Sequence, residues 1–218
     1  MITEVLNQTM TLSDGRVLGY AEAGDPKGMP LFLFHGLNSS RLEADIAHEQ
    51  MAQAGIRIIG VDRPGMGLST FQENRKILDF VGDVMALADK LNINTFSVLG
   101  VSAGAAYATA CAYKIPHRVL FCGMISALGP VELGIDDMGR RSRAFIFVAQ
   151  NFPWLIKPIF WLVQGRLSQK ESTADRFLEH IMFNLGEEDH KLLEDTTIKK
   201  ALLETFQESY LNGTKGVA

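Results

Sequence analysis

Short apolar runs alternate along this chain with longer stretches of helical period. Residues 31–34, 57–61, 95–99 and 119–125 are brief and rich in large apolar and β-branched side chains, the pattern of strands covered on both faces. Between them, residues 42–54 read as a helix ended by Gly55. Ile77, Phe80, Val81, Val84, Leu87, Ala88 and Leu91 then recur at helical spacing. A third helix of small residues starts at Ala105 and reaches Ile115, where Pro116 stops it. Two strands, 3–11 and 16–23, come first and are joined by the turn Ser13-Asp14-Gly15. Strands alternating with helices predict an α/β fold, a mostly parallel sheet with helices on both faces. Ligands in such sheets bind outside the carboxyl ends of the strands, so loops 35–41, 62–69 and 100–104 should crowd round one pocket.

Beyond residue 130 the strand signals stop. Residues 140–164 hold Phe145, Ile146, Phe147, Trp154, Ile156, Phe160, Trp161 and Leu162, a helical stretch heavy in large apolar side chains. Pro153, Lys157 and Pro158 interrupt it, so no run of about 20 apolar residues survives and a membrane is not expected as a partner. Residues 171–211 continue as two amphipathic helices broken near Gly186, with Phe177, Ile181 and Leu185 on one face and Leu202, Leu203 and Phe206 on another. The chain thus divides into an α/β core, 1–130, and a helical segment, 131–218.

Composition narrows the function classes. With 218 residues and 47% hydrophobic content the chain can bury a full core, and a formal charge of −4 gives no basic field for nucleic acid. Cys111 and Cys122 sit in apolar surroundings as free thiols, and no cluster of ligating residues implies a metal. The opening MITEVLNQTM shows neither a basic n-region nor an apolar h-region, which makes a cytoplasmic location the expectation.

The chemistry concentrates at Gly100-Val101-Ser102-Ala103-Gly104. This G-x-S-x-G stands between a strand and a helix, the setting of a nucleophile elbow, where glycines two residues to either side leave room for a sharp turn. The following helix aims its free N–H groups at the serine and favours an oxyanion there. His35-Gly36-Leu37 follows its own strand directly, so the Leu37 and Ala103 N–H groups together would make an oxyanion hole. His35 reads as a structural ring bonding the loop backbone, and the charged pair in Asp62-Arg63-Pro64-Gly65 as a tie between neighbouring loops.

The ordered set FHGLNSSR (34–41), IGVDRPGMGLST (59–70) and VLGVSAGAAYATACA (98–112), followed by a strand beginning Arg118-Val119, resembles the serine-nucleophile branch of the α/β-hydrolase superfamily. It is most similar to small esterase-like and aminopeptidase-like members whose loops read HGxPGSR and DRPGxGLS. Asn38-Ser39 replaces the usual Pro-Gly of the first motif. The resemblance implies Ser102 as nucleophile, a helical cap inserted over the pocket after the strand at 119–125, a small hydrophobic acyl or ester substrate and no cofactor. It also implies an acid and a histidine base later in the chain. Only His117, His180 and His190 follow Ser102, none of them after a strand-like run. Asp136 and Asp137 stand where some members place the acid, and read equally as an ordinary polar loop. The acid and base are therefore unassigned and the last strands of the sheet are expected to be missing. Three accounts remain open: a piece of a complete hydrolase, favoured because 212–216 reads as a mid-protein loop; a chain completed by another polypeptide; or a non-catalytic binding protein on the same scaffold. An incomplete sheet would also leave an edge open to self-association.

Overall fold

The structure, a computed structural model, describes residues 5–127, 129–168, 191 and 193–217. The chain opens with a hairpin, β1 (Gln8–Thr11) and β2 (Val17–Gly24), closed by a turn in which Gly15 takes φ 84°. Of the expected strand at 3–11, residues 8–11 form β1, residues 5 and 6 are helical and residues 3 and 4 lie outside the described residues; the Leu6 carbonyl accepts from Arg41 Nε at 2.8 Å. Then come β3 (Met29–Phe34), a 3₁₀ turn (Arg41–Asp45), α1 (His48–Gln53) and β4 (Ile56–Val61). The single helix read at 42–54 is thus two pieces. Its first turn is pinned separately, with the Arg41 backbone N–H and guanidinium both on Asp62 and Ser40 Oγ capping Leu42.

The remaining elements fall close to the pattern. They are α2 (Phe80–Lys90), β5 (Phe96–Val101), α3 (Ala105–Lys114), β6 (Val119–Ile125), α4 (Arg140–Asn151), α5 (Ile156–Leu167) and α6 (Thr196–Ser209). The expected helix around Phe177, Ile181 and Leu185, with His180 and His190, lies outside the described residues.

The sheet order is β1-β2-β4-β3-β5-β6, with β1, β2 and β4 paired antiparallel and β4, β3, β5 and β6 paired parallel. From β3 the chain moves outward to β4, then crosses back to lay β5 on the other side of β3. The crevice at the carboxyl ends of β3 and β5 is therefore the topological switch point. Among the described residues no strand lies beyond β6, and Leu120, Phe121, Met124 and Ile125 on it are more than half exposed.

Because side chains alternate along a strand, each face has its own set. One presents Phe32, Phe34, Ile59, Val61, Phe96 and Val98 to α2 and α3. Its rings are locked in tilted and edge-on pairs, Phe32 with Phe96 at 4.6 Å and Phe34 with Phe80 at 5.8 Å. The other carries Ala23, Leu33 and Ile58, against Ala44 and Met51 of the segment after β3.

Candidate active site

Ser102 leaves the end of β5 at φ +51°, a left-handed conformation that costs a residue with a Cβ about 1 kcal/mol or more. The turn is sharp enough that its glycines cannot be replaced freely. A Cβ at Gly100 would stand 2.5 Å from the Ala105 backbone, and one at Gly104 would stand 1.9 Å from the Phe34 carbonyl oxygen. The second clash shows how closely the elbow presses on the end of β3. A Cβ on Gly36 would meet the Ser102 Cβ at 3.9 Å, so the first loop runs directly alongside the serine.

That loop is held from beneath. His35 is buried, with Nδ1–H donating to the Gly36 carbonyl at 2.9 Å and Nε2 accepting the Arg63 N–H at 3.3 Å. Burial, reinforced by the Arg63 charge, holds its pKa well below the ordinary histidine value. A neutral ring with both nitrogens engaged is a structural group, as its place in the sequence suggests.

The Arg63 guanidinium donates from Nη2 to the Gly36 carbonyl at 2.7 Å and the Leu37 carbonyl at 3.1 Å. A trans peptide points its N–H opposite to its C=O, so the Leu37 N–H is turned away from Arg63. The Gly36 N–H is taken by Glu43 Oε2 at 3.1 Å, and the same oxygen accepts Ser39 Oγ–H at 2.6 Å.

Glu43 was not singled out from the sequence, yet it lines the same cavity as Ser102. Burial raises its pKa against the opposing pull of those two hydrogen bonds. Asp62 and Arg63 do tie loops together, but not to each other. Asp62 receives the Arg41 guanidinium at 2.9 Å and the Leu68 N–H at 2.9 Å. Adjacent residues leaving a strand point to opposite sides, which separates the two charges.

The later helix α6 reaches into this layer. Thr205 Oγ1 is buried, accepts the Ser40 N–H at 3.1 Å and lies 2.8 Å from Ser40 Oγ and 3.2 Å from Ser39 Oγ. Just past the helix, Tyr210 donates to Asn38 Oδ1 at 3.1 Å and Asn212 to the Gly67 carbonyl at 2.7 Å. Asn38 and Ser39, which depart from the resembled motif, are thus the residues that receive the end of the chain.

Between these parts lies a cavity of about 560 Å³, lined by Ser102, Leu37, Leu33, Leu99, Val101 and Phe206 among others. Its wall is mainly aliphatic, with Asn38, Ser39, Glu43 and Ser102 itself as polar groups. The large aromatics of α4 and α5 do not line it. Phe145, Phe160 and Ile156 pack behind it in a cluster with Leu37 and Phe206.

No described histidine lines the cavity. His48 accepts the Gly24 N–H at the opposite end of β2's pairing with β4, and His117 is exposed in the turn before β6, at the other sheet end from Ser102. Asp136 and Asp137 are exposed and line no part of it. Cys111 and Cys122 are free, and burial pushes the Cys111 thiol up to about 12, leaving it unreactive. Among the described residues no single helix is long and apolar enough to cross a membrane.

A family model described as the alpha/beta hydrolase fold matches residues 29–211. The chain belongs to the alpha/beta hydrolase family. A serine hydrolase-like protein of Dictyostelium discoideum is 34% identical to this hydrolase-fold chain over 104 residues, 45% of this chain and 29% of that protein. The uncharacterized hydrolase YcgS of Bacillus subtilis is 30% identical over 152 residues, 70% of this chain and 52% of that protein. The esterase RhEst1 from Rhodococcus sp. ECU1013 aligns with 98% of this chain and 71% of its own at a TM-score of 0.60 and 20% identity, a likeness of fold. The chain spans between 29% and 52% of the length of the curated relatives it matches.

Proposed function

We propose that this chain carries the nucleophile and the oxyanion hole of a hydrolase of carboxylic esters or related acyl compounds. The observation that carries the reading is Ser102, held at φ +51° on the switch point and facing an aliphatic cavity. Strain of this kind persists only where surrounding structure enforces it, and here it sets Ser102 at the wall of the cavity instead of in the core.

In this reading Ser102 Oγ attacks the ester carbonyl carbon. The C=O π pair moves onto oxygen, and the N–H groups of Leu37 and Ala103 receive the oxyanion. Collapse breaks the C–O bond to the leaving group, which departs as the alcohol carrying the proton given up by Ser102 Oγ, and the acyl-serine left behind is cleaved by water to the carboxylic acid and free Ser102. The Arg63 bonds to the Gly36 and Leu37 carbonyls support the Leu37 assignment, since they leave the Leu37 N–H facing away from the buried arginine. The aliphatic wall of Leu33, Leu99 and Phe206 suits a hydrophobic acyl group. The acid and the base are assigned to no described residue. No cofactor is invoked.

One rival fits a cavity that no described histidine lines: an α/β-hydrolase-like protein that binds acyl ligands without turning them over. Hydrolysis of p-nitrophenyl esters by the protein separates the two. Turnover that falls to background in Ser102→Ala is the expected outcome. Ligand-dependent thermal stabilisation that survives Ser102→Ala, with no turnover by the parent protein, would establish the rival.

A further inference from the structure

Among the described residues, the hairpin of α4 and α5 has a second apolar side left largely uncovered, with Trp154 and Lys157 at one end sharing a groove with Phe71, Glu73 and Lys215. Its inner side, with Ile146, Phe160 and Leu167, packs toward Leu37 and Phe206. On its outer side Trp154 is 70% exposed, Trp161 66%, Leu162 58% and Phe147 57%. On α5 the exposed positions are Lys157, Pro158, Trp161, Leu162, Gly165 and Arg166, spaced at i, i+4 and i+8, so an aromatic centre is bracketed by a cation at each end. On α4, exposed Arg140 lies two turns before Phe147 on the same side. Phe147 and Phe152 meet edge-on at 6.1 Å, which joins the two helices' outer surfaces across the turn.

The charge of this hairpin is opposite to that of the rest of the chain. Residues 140–167 hold five of the 21 basic side chains (Arg140, Arg141, Arg143, Lys157 and Arg166) and none of the 25 acidic ones. A surface of Trp, Phe and Leu flanked by Lys and Arg, on an otherwise acidic protein, matches the headgroup boundary of an anionic bilayer. The rings enter the acyl margin, the cations meet lipid phosphates, and the acidic remainder is kept out in water. The two helices are bent by 112° at their break, so they cannot cross a bilayer as one rod. Interruption by Pro153 and Lys157, which argues against a span, is compatible with lying on the surface.

We propose that the α4–α5 hairpin is an interfacial docking surface for membranes bearing anionic lipids. Docking there would bring the membrane to the side of the hairpin opposite its contact with Leu37. The proposal does not depend on Ser102 being a nucleophile.

The chain reports on it directly, because its only two tryptophans, Trp154 and Trp161, both lie on this surface. With vesicles of mixed phosphatidylglycerol and phosphatidylcholine at low salt, tryptophan emission should shift to the blue and the protein should co-sediment. Pure phosphatidylcholine vesicles, or 0.5 M salt, should weaken binding at least tenfold. Replacing Arg140, Lys157 and Arg166 together by Gln, all exposed and expected to leave the circular dichroism spectrum unchanged, should weaken it roughly 100-fold. Ser102→Ala should bind vesicles as the parent does, which keeps this test separate from that of the esterase reading. Three results would overturn the proposal: no vesicle-dependent shift; equal, salt-insensitive binding to neutral and anionic vesicles; or a blue shift without lipid that grows with protein concentration, which would make a second copy the occupant.

Discussion

On one face of the sheet Phe32, Phe34 and Phe96 are sealed beneath α2 and α3, while on the other Leu31, Leu33 and Leu99 front the cavity that Ser102 shares. The two faces come from the same strands at alternate positions, so the difference lies in what covers them. A second groove of about 190 Å³, reaching Leu31, Leu99 and Phe121, continues the open face toward β6. The sealed face holds the interlocked rings and should contribute most to stability. The open face gives up packing for room beside a strained serine. Tight packing and the cavity beside Ser102 are therefore divided between the two sides of one sheet.

The sharpest way to break this comparison is to truncate one side chain on each face. Phe32→Ala should destabilise the protein by about 3–5 kcal/mol in urea unfolding, whereas Leu99→Ala, on a partly buried side chain at the cavity wall, should cost less, about 2 kcal/mol. Equal losses would show that the open face is as fully packed as the sealed one.

Next in size is the tie that joins α6 to the loop beside the serine. Thr205→Val leaves the buried Ser40 N–H without its acceptor and should cost about 1–3 kcal/mol by thermal or urea unfolding. A neutral substitution would mean that α6 rests on the core without fixing it.

A gain is expected at the serine itself. Ser102→Gly relieves the +51° backbone and should raise stability by about 1 kcal/mol, less the extra freedom glycine brings to the unfolded chain. A net loss would argue that the strain is small.

The smallest effects are changes of slope with pH, and two groups should act with opposite signs. Glu43 is held protonated above its ordinary value of 4.5, so as pH rises past that value the unfolded chain releases its proton first and stability falls. Glu43→Gln should remove that fall, and its unfolding midpoint should gain on the parent's from pH 4.5 upward. His35 is held neutral below its ordinary 6.5, so the unfolded chain takes up a proton first as pH drops through 6.5. Stability is then lost toward acid by at most about 1.4 kcal/mol per pH unit. A Gln variant that weakens with rising pH would mean that Ser39 and Gly36 keep Glu43 ionised.

The parts legible from the sequence were those whose cause is local. The elbow needs Gly100 and Gly104 within two residues of Ser102, and the buried strands are runs that no other element imitates. His35 could be read as structural because a ring directly after a strand end has the loop backbone within reach. What escaped notice depends on partners far apart in the chain. Thr205 looks like any polar residue of an amphipathic helix until Ser40, 165 positions earlier, is placed beside it. Glu43 lay in a stretch read only as helix, although its spacing of four from Ser39 was a usable hint of a carboxylate turned back on the loop at 35–41. The pairing of Asp62 with Arg41 was hidden by the arginine next door. The aromatics of the 140–164 stretch read equally as the underside of a cap or as plain helix packing; in the structure they pack behind the cavity, and α6 reaches its wall through Leu202 and Phe206.

The edge at β6 carries the remaining expectation. With Leu120 and Phe121 about two-thirds exposed, the chain should self-associate as its concentration rises, by size-exclusion chromatography. Charged substitution at Phe121 should reverse this, and a clean monomer at every concentration would count against it.

The most direct test of the central claim is labelling with a fluorophosphonate probe, with the modified residue located by mass spectrometry. One probe per chain is expected, on Ser102, with none on Ser102→Ala and a reduced rate when a long-chain acyl ligand fills the cavity. Folded protein that stays unlabelled, or carries the probe on another residue while Ser102 is untouched, would contradict it.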